Sequence, residues 1–90
     1  MSTEPVFRTQ PYLRDLDTRV EALTPEGGVI CAGSVFYPTG GGQPGDAGWL
    51  RWPDGALEIA TAVKGEGGTI ILVPAEPAAL PSPGTRVQQE

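Results

Sequence analysis

Ninety residues with 11 acidic side chains against six basic ones, a net charge of −5 at pH 7, repel a phosphate backbone rather than condense onto it, so the chain is a poor nucleic-acid binder by electrostatics alone. Thirteen glycines and 10 prolines interrupt almost every window long enough for a helix, which excludes a helical bundle. The length suffices for one domain that buries only about 60–65% of the surface its unfolded form exposes.

In chain order, residues 1–14 carry Pro5 and Pro11 without steady periodicity. Val6, Phe7, Tyr12 and Leu13 suit an N-terminal arm that packs down on a neighbour. Leu16, Thr18, Val20 and Ala22 alternate with Asp17, Arg19 and Glu21, the pattern of a half-buried strand. Thr24-Pro25-Glu26-Gly27-Gly28 is turn chemistry, and 29–32 returns as a short apolar strand, so 16–32 reads as a hairpin. Trp49–Trp52 is a strand ending at the turn Pro53-Asp54-Gly55. The two tryptophans have different pleat parity, so at most one faces the core and the other marks a packing surface. Leu57, Ile59, Thr61 and Val63 then alternate with Glu58, Ala60, Ala62 and Lys64. After a turn at 65–68, Thr69–Val73 is apolar on both faces; 74–84 is a proline-rich connection, and 85–89 a last strand. Six strands with turns between them predict an all-β fold, a small antiparallel barrel or sandwich; the closed barrel is favoured because closure leaves no strand edge exposed. The whole chain, 1–90, is expected to be that single domain.

One stretch offers more than a scaffold. Between two strands runs Phe36-Tyr37-Pro38-Thr39-Gly40-Gly41-Gly42-Gln43-Pro44-Gly45-Asp46-Ala47-Gly48. Three consecutive glycines permit positive φ and close backbone approach, while Pro38 and Pro44 fix φ on either side. The expectation is a stiff, compact loop with Gln43 at its edge. A Walker-type loop requires a Lys-Ser or Lys-Thr after its last glycine and a dinucleotide fingerprint requires a helix; both fail here. The plain alternative is a glycine-proline turn that only links two strands.

Catalytic groups are scarce. The chain has no histidine, so the commonest general base and metal ligand is missing. One cysteine excludes an internal disulfide and cannot build a zinc site alone; Cys31, between Ile30 and Ala32, reads as a small core residue. Nothing in the spacing brings Asp46, Asp54 and Glu58 together. Gln43 offers two donors and an acceptor but cannot serve as a base at neutral pH, which suits it to positioning a substrate or a water. Met1-Ser-Thr-Glu-Pro lacks the basic and apolar regions of a signal peptide, and no apolar run reaches the length of a membrane span. A cytoplasmic location without membrane contact is expected.

Phe36-Tyr37-Pro38-Thr39-Gly40-Gly41-Gly42-Gln43-Pro44-Gly45-Asp46, followed by Gly48 and Leu50, closely resembles the glycine-rich motif of the alanyl-tRNA editing proteins and the matching stretch of the alanyl-tRNA synthetase editing domain. The likeness extends more loosely over about residues 7–90. It implies an N-terminal β-barrel of the translation-protein kind, followed in the family by a domain whose His-x-x-x-His motif and later Cys/His pair bind zinc. That second domain hydrolyses the ester of mischarged tRNA(Ala), chiefly the seryl form. The resemblance assigns to Gln43 a place at the editing pocket, with Gly40, Gly41 and Gly42 beside it. It places Ser34, nine residues before Gln43, where the family often has threonine. The chain stops at Glu90, about where the zinc-bearing domain would begin, so it is expected to be a fragment of a longer editing protein. No catalytic residue, metal ligand or cofactor is expected within it; zinc is expected in the missing C-terminal domain, and the 90-residue chain alone should be inactive. A non-catalytic translation-factor-like barrel, used for docking, is the competing reading.

Overall fold

The computed structural model describes residues 3–10, 15–39, 45–76 and 79–90. Its strands are β1 (Glu4–Pro5), β2 (Leu16–Leu23), β3 (Val29–Cys31), β4 (Gly33–Ser34), β5 (Gly48–Trp52), β6 (Gly55–Lys64), β7 (Ile70–Pro74) and β8 (Arg86–Gln89). One helical turn, α1 (Val6–Thr9), and a 3-10 turn at Glu66–Gly68 complete the elements. Six of the strands close into a barrel in the order β2-β3-β7-β6-β5-β8, with β8 returning to β2 and every pairing antiparallel. The expected six-stranded barrel is therefore the fold.

Local chemistry explains the hairpins. Between β2 and β3, Gly27 adopts φ 93°, and the Thr24 hydroxyl accepts the Gly28 N–H at 2.8 Å. Such a left-handed position costs glycine little and a side-chain-bearing residue more. Between β5 and β6, Trp52 pairs with Gly55, leaving Pro53-Asp54 as a two-residue connection. Alternation fills much of the interior, with Val20, Leu50, Leu57, Ile59, Leu72 and Val87 buried, while all three residues of β3 are buried. Trp52 packs against this core while Trp49, 40% exposed, faces solvent beneath the Arg51 guanidinium, 5.1 Å from its ring. The expected split between the two tryptophans holds.

The alternation expected along β6 does not persist. Leu57 and Ile59 are buried, but the next core residue is Ala62, with Thr61 and Val63 only half-buried. Pairing with β7 shifts register between Ile59 and Thr61. An irregularity of this kind inserts one residue and exchanges the faces of everything beyond it. A second shift lies between Val20 and Ala22 in β2.

The N-terminal arm seals one side of the barrel. β1 pairs in parallel with β4 through Glu4–Gly33 and Pro5–Ser34, and α1 buries Val6 and Phe7. Thr3 secures the arm at its start, its hydroxyl accepting the Ile70 N–H at 2.9 Å. Tyr12 and Leu13, also expected to pack, lie outside the described residues. Leu80, from the proline-rich connection, packs against the core. Among the described residues no helix is long and apolar enough to cross a membrane.

Candidate functional site

The segment between β4 and β5 carries the glycine stretch, and its two described arms are tied together. Tyr37 and Asp46 exchange backbone and side-chain bonds: the Asp46 N–H donates to the Tyr37 carbonyl at 2.9 Å, and the Tyr37 N–H donates to Asp46 Oδ2 at 2.9 Å. One step further in, the Gly45 N–H donates to Thr39 Oγ1 at 2.9 Å. The same hydroxyl donates to the Ala62 carbonyl at 3.1 Å, which also accepts the Thr39 N–H at 2.7 Å. Asp46 thus works as a turn carboxylate, and Thr39 pins the neck of the segment onto β6 just past its register shift.

Glycine is required where the neck meets the barrel. A Cβ on Gly45 would collide with the Ala62 carbonyl oxygen and lie 2.7 Å from Thr61 Oγ1 and 2.8 Å from the Ala62 nitrogen. One on Gly48 would strike the Glu90 carbonyl oxygen and the Phe36 ring. The aromatic residues before the neck fix its entry: the Phe7 and Tyr37 rings stand 4.3 Å apart and tilted by 41°, and the Tyr37 hydroxyl donates to the Phe7 carbonyl at 3.3 Å. These contacts tie the neck to α1 as well as to β6.

Of the residues singled out in the sequence, Gly40, Gly41, Gly42 and Gln43 lie outside the described residues. Ser34 is described and completely buried. Its Oγ accepts the Phe36 N–H at 3.0 Å and donates to the Phe36 carbonyl at 3.1 Å, a closed local turn at the root of the segment. Its hydroxyl therefore shapes the approach to the glycine stretch rather than facing solvent.

Gln89 supports the same root, and nothing in the sequence singled it out. Its side chain is fully buried at the end of β8. There Oε1 accepts the Val35 N–H at 2.9 Å and Nε2 donates to the Gly33 carbonyl at 2.8 Å. The amide thereby satisfies two backbone groups on either side of Ser34 that no barrel strand reaches. The available signal is positional: Val87 and Gln89 share parity in a strand whose inward residues should be apolar, and an inward amide demands partners.

The neighbouring Cys31 thiol is also enclosed. Burial pushes it up to about 11, a hydrogen bond with Gln89 acts in the opposite direction, and Glu21 adds a further upward push. A thiol held protonated in this way is a packing group rather than a nucleophile. Among the described residues no group of three or more His, Cys, Asp or Glu side chains is arranged to hold a metal ion.

Comparison with known proteins points in one direction. The chain is 33% identical over 67 residues to the alanyl-tRNA editing protein AlaX-L of Pyrococcus horikoshii, covering 71% of this chain and 17% of that protein. It is 31% identical over 75 residues to AlaX-M of the same organism, covering 83% of this chain and 32% of that protein. It is 35% identical over 57 residues to the alanine–tRNA ligase of Pyrobaculum arsenaticum, covering 63% of this chain and 6% of the ligase. The chain thus spans less than a third of the length of each of these relatives. No protein-family model matches it.

Proposed function

This chain belongs with the alanyl-tRNA editing proteins and alanine–tRNA ligases, as a homologue of one part of them, and we propose that it is the N-terminal barrel of an enzyme that deacylates mischarged tRNA(Ala). Seryl-tRNA(Ala) is the substrate in this reading, and Gly40, Gly41, Gly42 and Gln43 line one wall of the pocket that receives the ester. The observation that carries it is the neck. Hydrogen bonds between Asp46 and Tyr37 and from Gly45 to Thr39 tie the two ends of the glycine stretch to each other, and the bonds from Thr39 to the Ala62 carbonyl fasten them to β6. Spending close-approach glycines and a buried serine on that placement is more than a mere strand connection requires.

Each group contributes what its chemistry allows. The Gln43 amide, two donors and an acceptor without basicity, orients the ester or an attacking water. Glycine N–H groups can approach the same substrate closely because no Cβ intervenes. Ser34 and Gln89 act behind them by holding the root of the segment. Zinc is the metal that membership in this family suggests, and the residues of this chain do not fit it. There is no histidine, Cys31 is enclosed and protonated, and no donor cluster exists among the described residues. No catalytic step is assigned to a metal on this chain; a zinc-bearing C-terminal domain of the same enzyme would supply the hydrolytic chemistry. A cytoplasmic location follows from work on tRNA.

The test is release of serine from seryl-tRNA(Ala), measured for this chain alone and for a protein joining it to such a domain. Activity in the joined protein only is expected. There Gln43→Ala should lower the deacylation rate while shifting stability by less than about 0.5 kcal/mol, since in this reading the amide serves the substrate and not the core. An unchanged rate removes Gln43 from the pocket. Activity in neither protein leaves a docking barrel.

A further inference from the structure

Beside the neck lies a groove of about 450 Å3 between α1 and the turn that follows β6. Phe7, Arg8, Pro38, Lys64, Thr69 and Ile70 are among the residues that line it, and none of its lining residues is acidic. That composition is unusual for this chain, in which carboxylates outnumber cations 11 to six. Elsewhere on the barrel Arg19 pairs with Glu21 at 3.3 Å and Arg51 pairs with Glu90, while Arg86 shares its groove with the carboxylate of Asp17. Among the described residues neither Arg8 nor Lys64 forms an ion pair; the Arg8 guanidinium lies 5.6 Å from the centre of the Phe7 ring.

An exposed aromatic ring packs against Phe7, one of the residues that line the groove. Tyr37, next to Pro38 in the chain, is 47% exposed and is held against Phe7 by ring contact and by its hydroxyl bond to the Phe7 carbonyl. Two uncompensated cations beside a pre-positioned aromatic face is the combination that binds single-stranded nucleic acid, with charge tracking the backbone and the ring accepting a base. An acidic peptide would use the cations but leave the ring without a partner of matching shape. Pro38 connects the groove directly to the glycine stretch, two residues away in sequence.

We infer that this groove holds the single-stranded 3′ end of an RNA, with Arg8 and Lys64 on phosphates and Tyr37 under a base. The inference rests on the deacylase reading for the identity of the RNA. It explains how an acidic barrel takes part in RNA recognition: the contact is confined to one local patch on a surface that otherwise repels.

The experiment is a titration of the 15N-labelled 90-residue chain with a single-stranded RNA of about 12 nucleotides ending in CCA, followed by amide shifts. Shifts concentrated at Arg8, Lys64, Thr69 and Ile70 are expected. In Arg8→Ala/Lys64→Ala, losing two phosphate contacts should flatten the slope of log affinity against log salt by about 1.4 and weaken binding on the order of 50-fold at about 50 mM salt. Arg86→Ala, in a separate groove beside Asp17 and Arg51, should bind like the parent, and Tyr37→Leu should lose affinity without changing the salt slope. The inference is overturned by an absence of groove shifts at about 1 mM RNA and about 50 mM salt, by equal binding in the double variant, or by a hexaglutamate peptide moving the same amides as strongly. Deacylation is read separately. Groove shifts without deacylation by the joined protein uphold the groove and sink the hydrolase reading; deacylation with an unchanged KM in the double variant does the reverse.

Discussion

Replacing Gln89 by leucine keeps most of the side-chain volume and removes both of its hydrogen bonds. The half-buried Val35 N–H and the buried Gly33 carbonyl, now paired at 2.9 and 2.8 Å, would lose their partner. Each unsatisfied backbone group costs about 1–3 kcal/mol, so the pair sets a loss of roughly 2–6 kcal/mol. Stability of about 0.05–0.15 kcal/mol per residue gives a domain of this size roughly 5–13 kcal/mol in all. One substitution would therefore remove a large share of it. At about 4–8 °C per kcal/mol, a loss of about 3 kcal/mol lowers Tm by roughly 12–24 °C. Urea unfolding of parent and Gln89→Leu checks this, with the m-value expected to stay constant while the midpoint falls. Gln89→Met, similar in size and equally unable to make the bonds, should behave like the leucine variant. A Tm within about 2 °C of the parent in both would refute the reasoning, since water or a rearranged backbone would then be satisfying the two groups at negligible cost.

Two further outcomes follow from the same region. Gly45→Ala sets a methyl group against the Ala62 backbone and Thr61 Oγ1; the neck must lift, costing about 1–3 kcal/mol as in other overpacked sites. Calorimetry reads the loss, and faster hydrogen exchange at the Asp46 amide localises it to the Tyr37–Asp46 pair; an unchanged melting point with unchanged exchange would rule the close approach out. For Cys31, the folded thiol is raised to about 11 by burial, so above the ordinary thiol range the unfolded chain binds fewer protons than the folded one. The resulting stability is fully present below about pH 9 and lost as pH rises through about 11, a total of about 2–3 kcal/mol. Cys31→Ala should remove this alkaline slope relative to the parent, and parallel curves for the two proteins between about pH 8 and 11.5 would contradict the assignment.

Much of the fold was legible in the sequence because barrel strands carry their own pattern. Period-two alternation from Leu16 and the turn at 24–28 marked the first hairpin, and Pro53-Asp54-Gly55 marked the tight turn after Trp52. The parity of Trp49 and Trp52 separated the exposed ring from the packed one. The glycine-proline composition of 36–48 likewise singled out the segment whose neck the structure fastens to β6. These are local signals, each set by residues a few positions apart.

What the sequence could not express depends on groups brought together by closure. The register shift between Ile59 and Thr61 puts Ala62 in the core, and a bulge of one residue leaves no mark in hydropathy because alanine and threonine suit either face. Gln89 looks like a polar residue near a chain end until β8 pairs with β2 and β5 and carries its amide beneath Gly33 and Val35. That the Ser34 hydroxyl closes on the Phe36 backbone is likewise visible only in the folded chain. Arg8 and Lys64 are separated by the whole glycine stretch and by the barrel strands β2, β3 and β5, and only the docking of α1 beside the end of β6 places them in one groove. By itself the sequence determined strands, turns and the special segment, since backbone propensity and alternation act over short range. Only the tertiary structure decided which polar groups share an interior or a groove, because that depends on register and closure, which sum pairings along the entire chain.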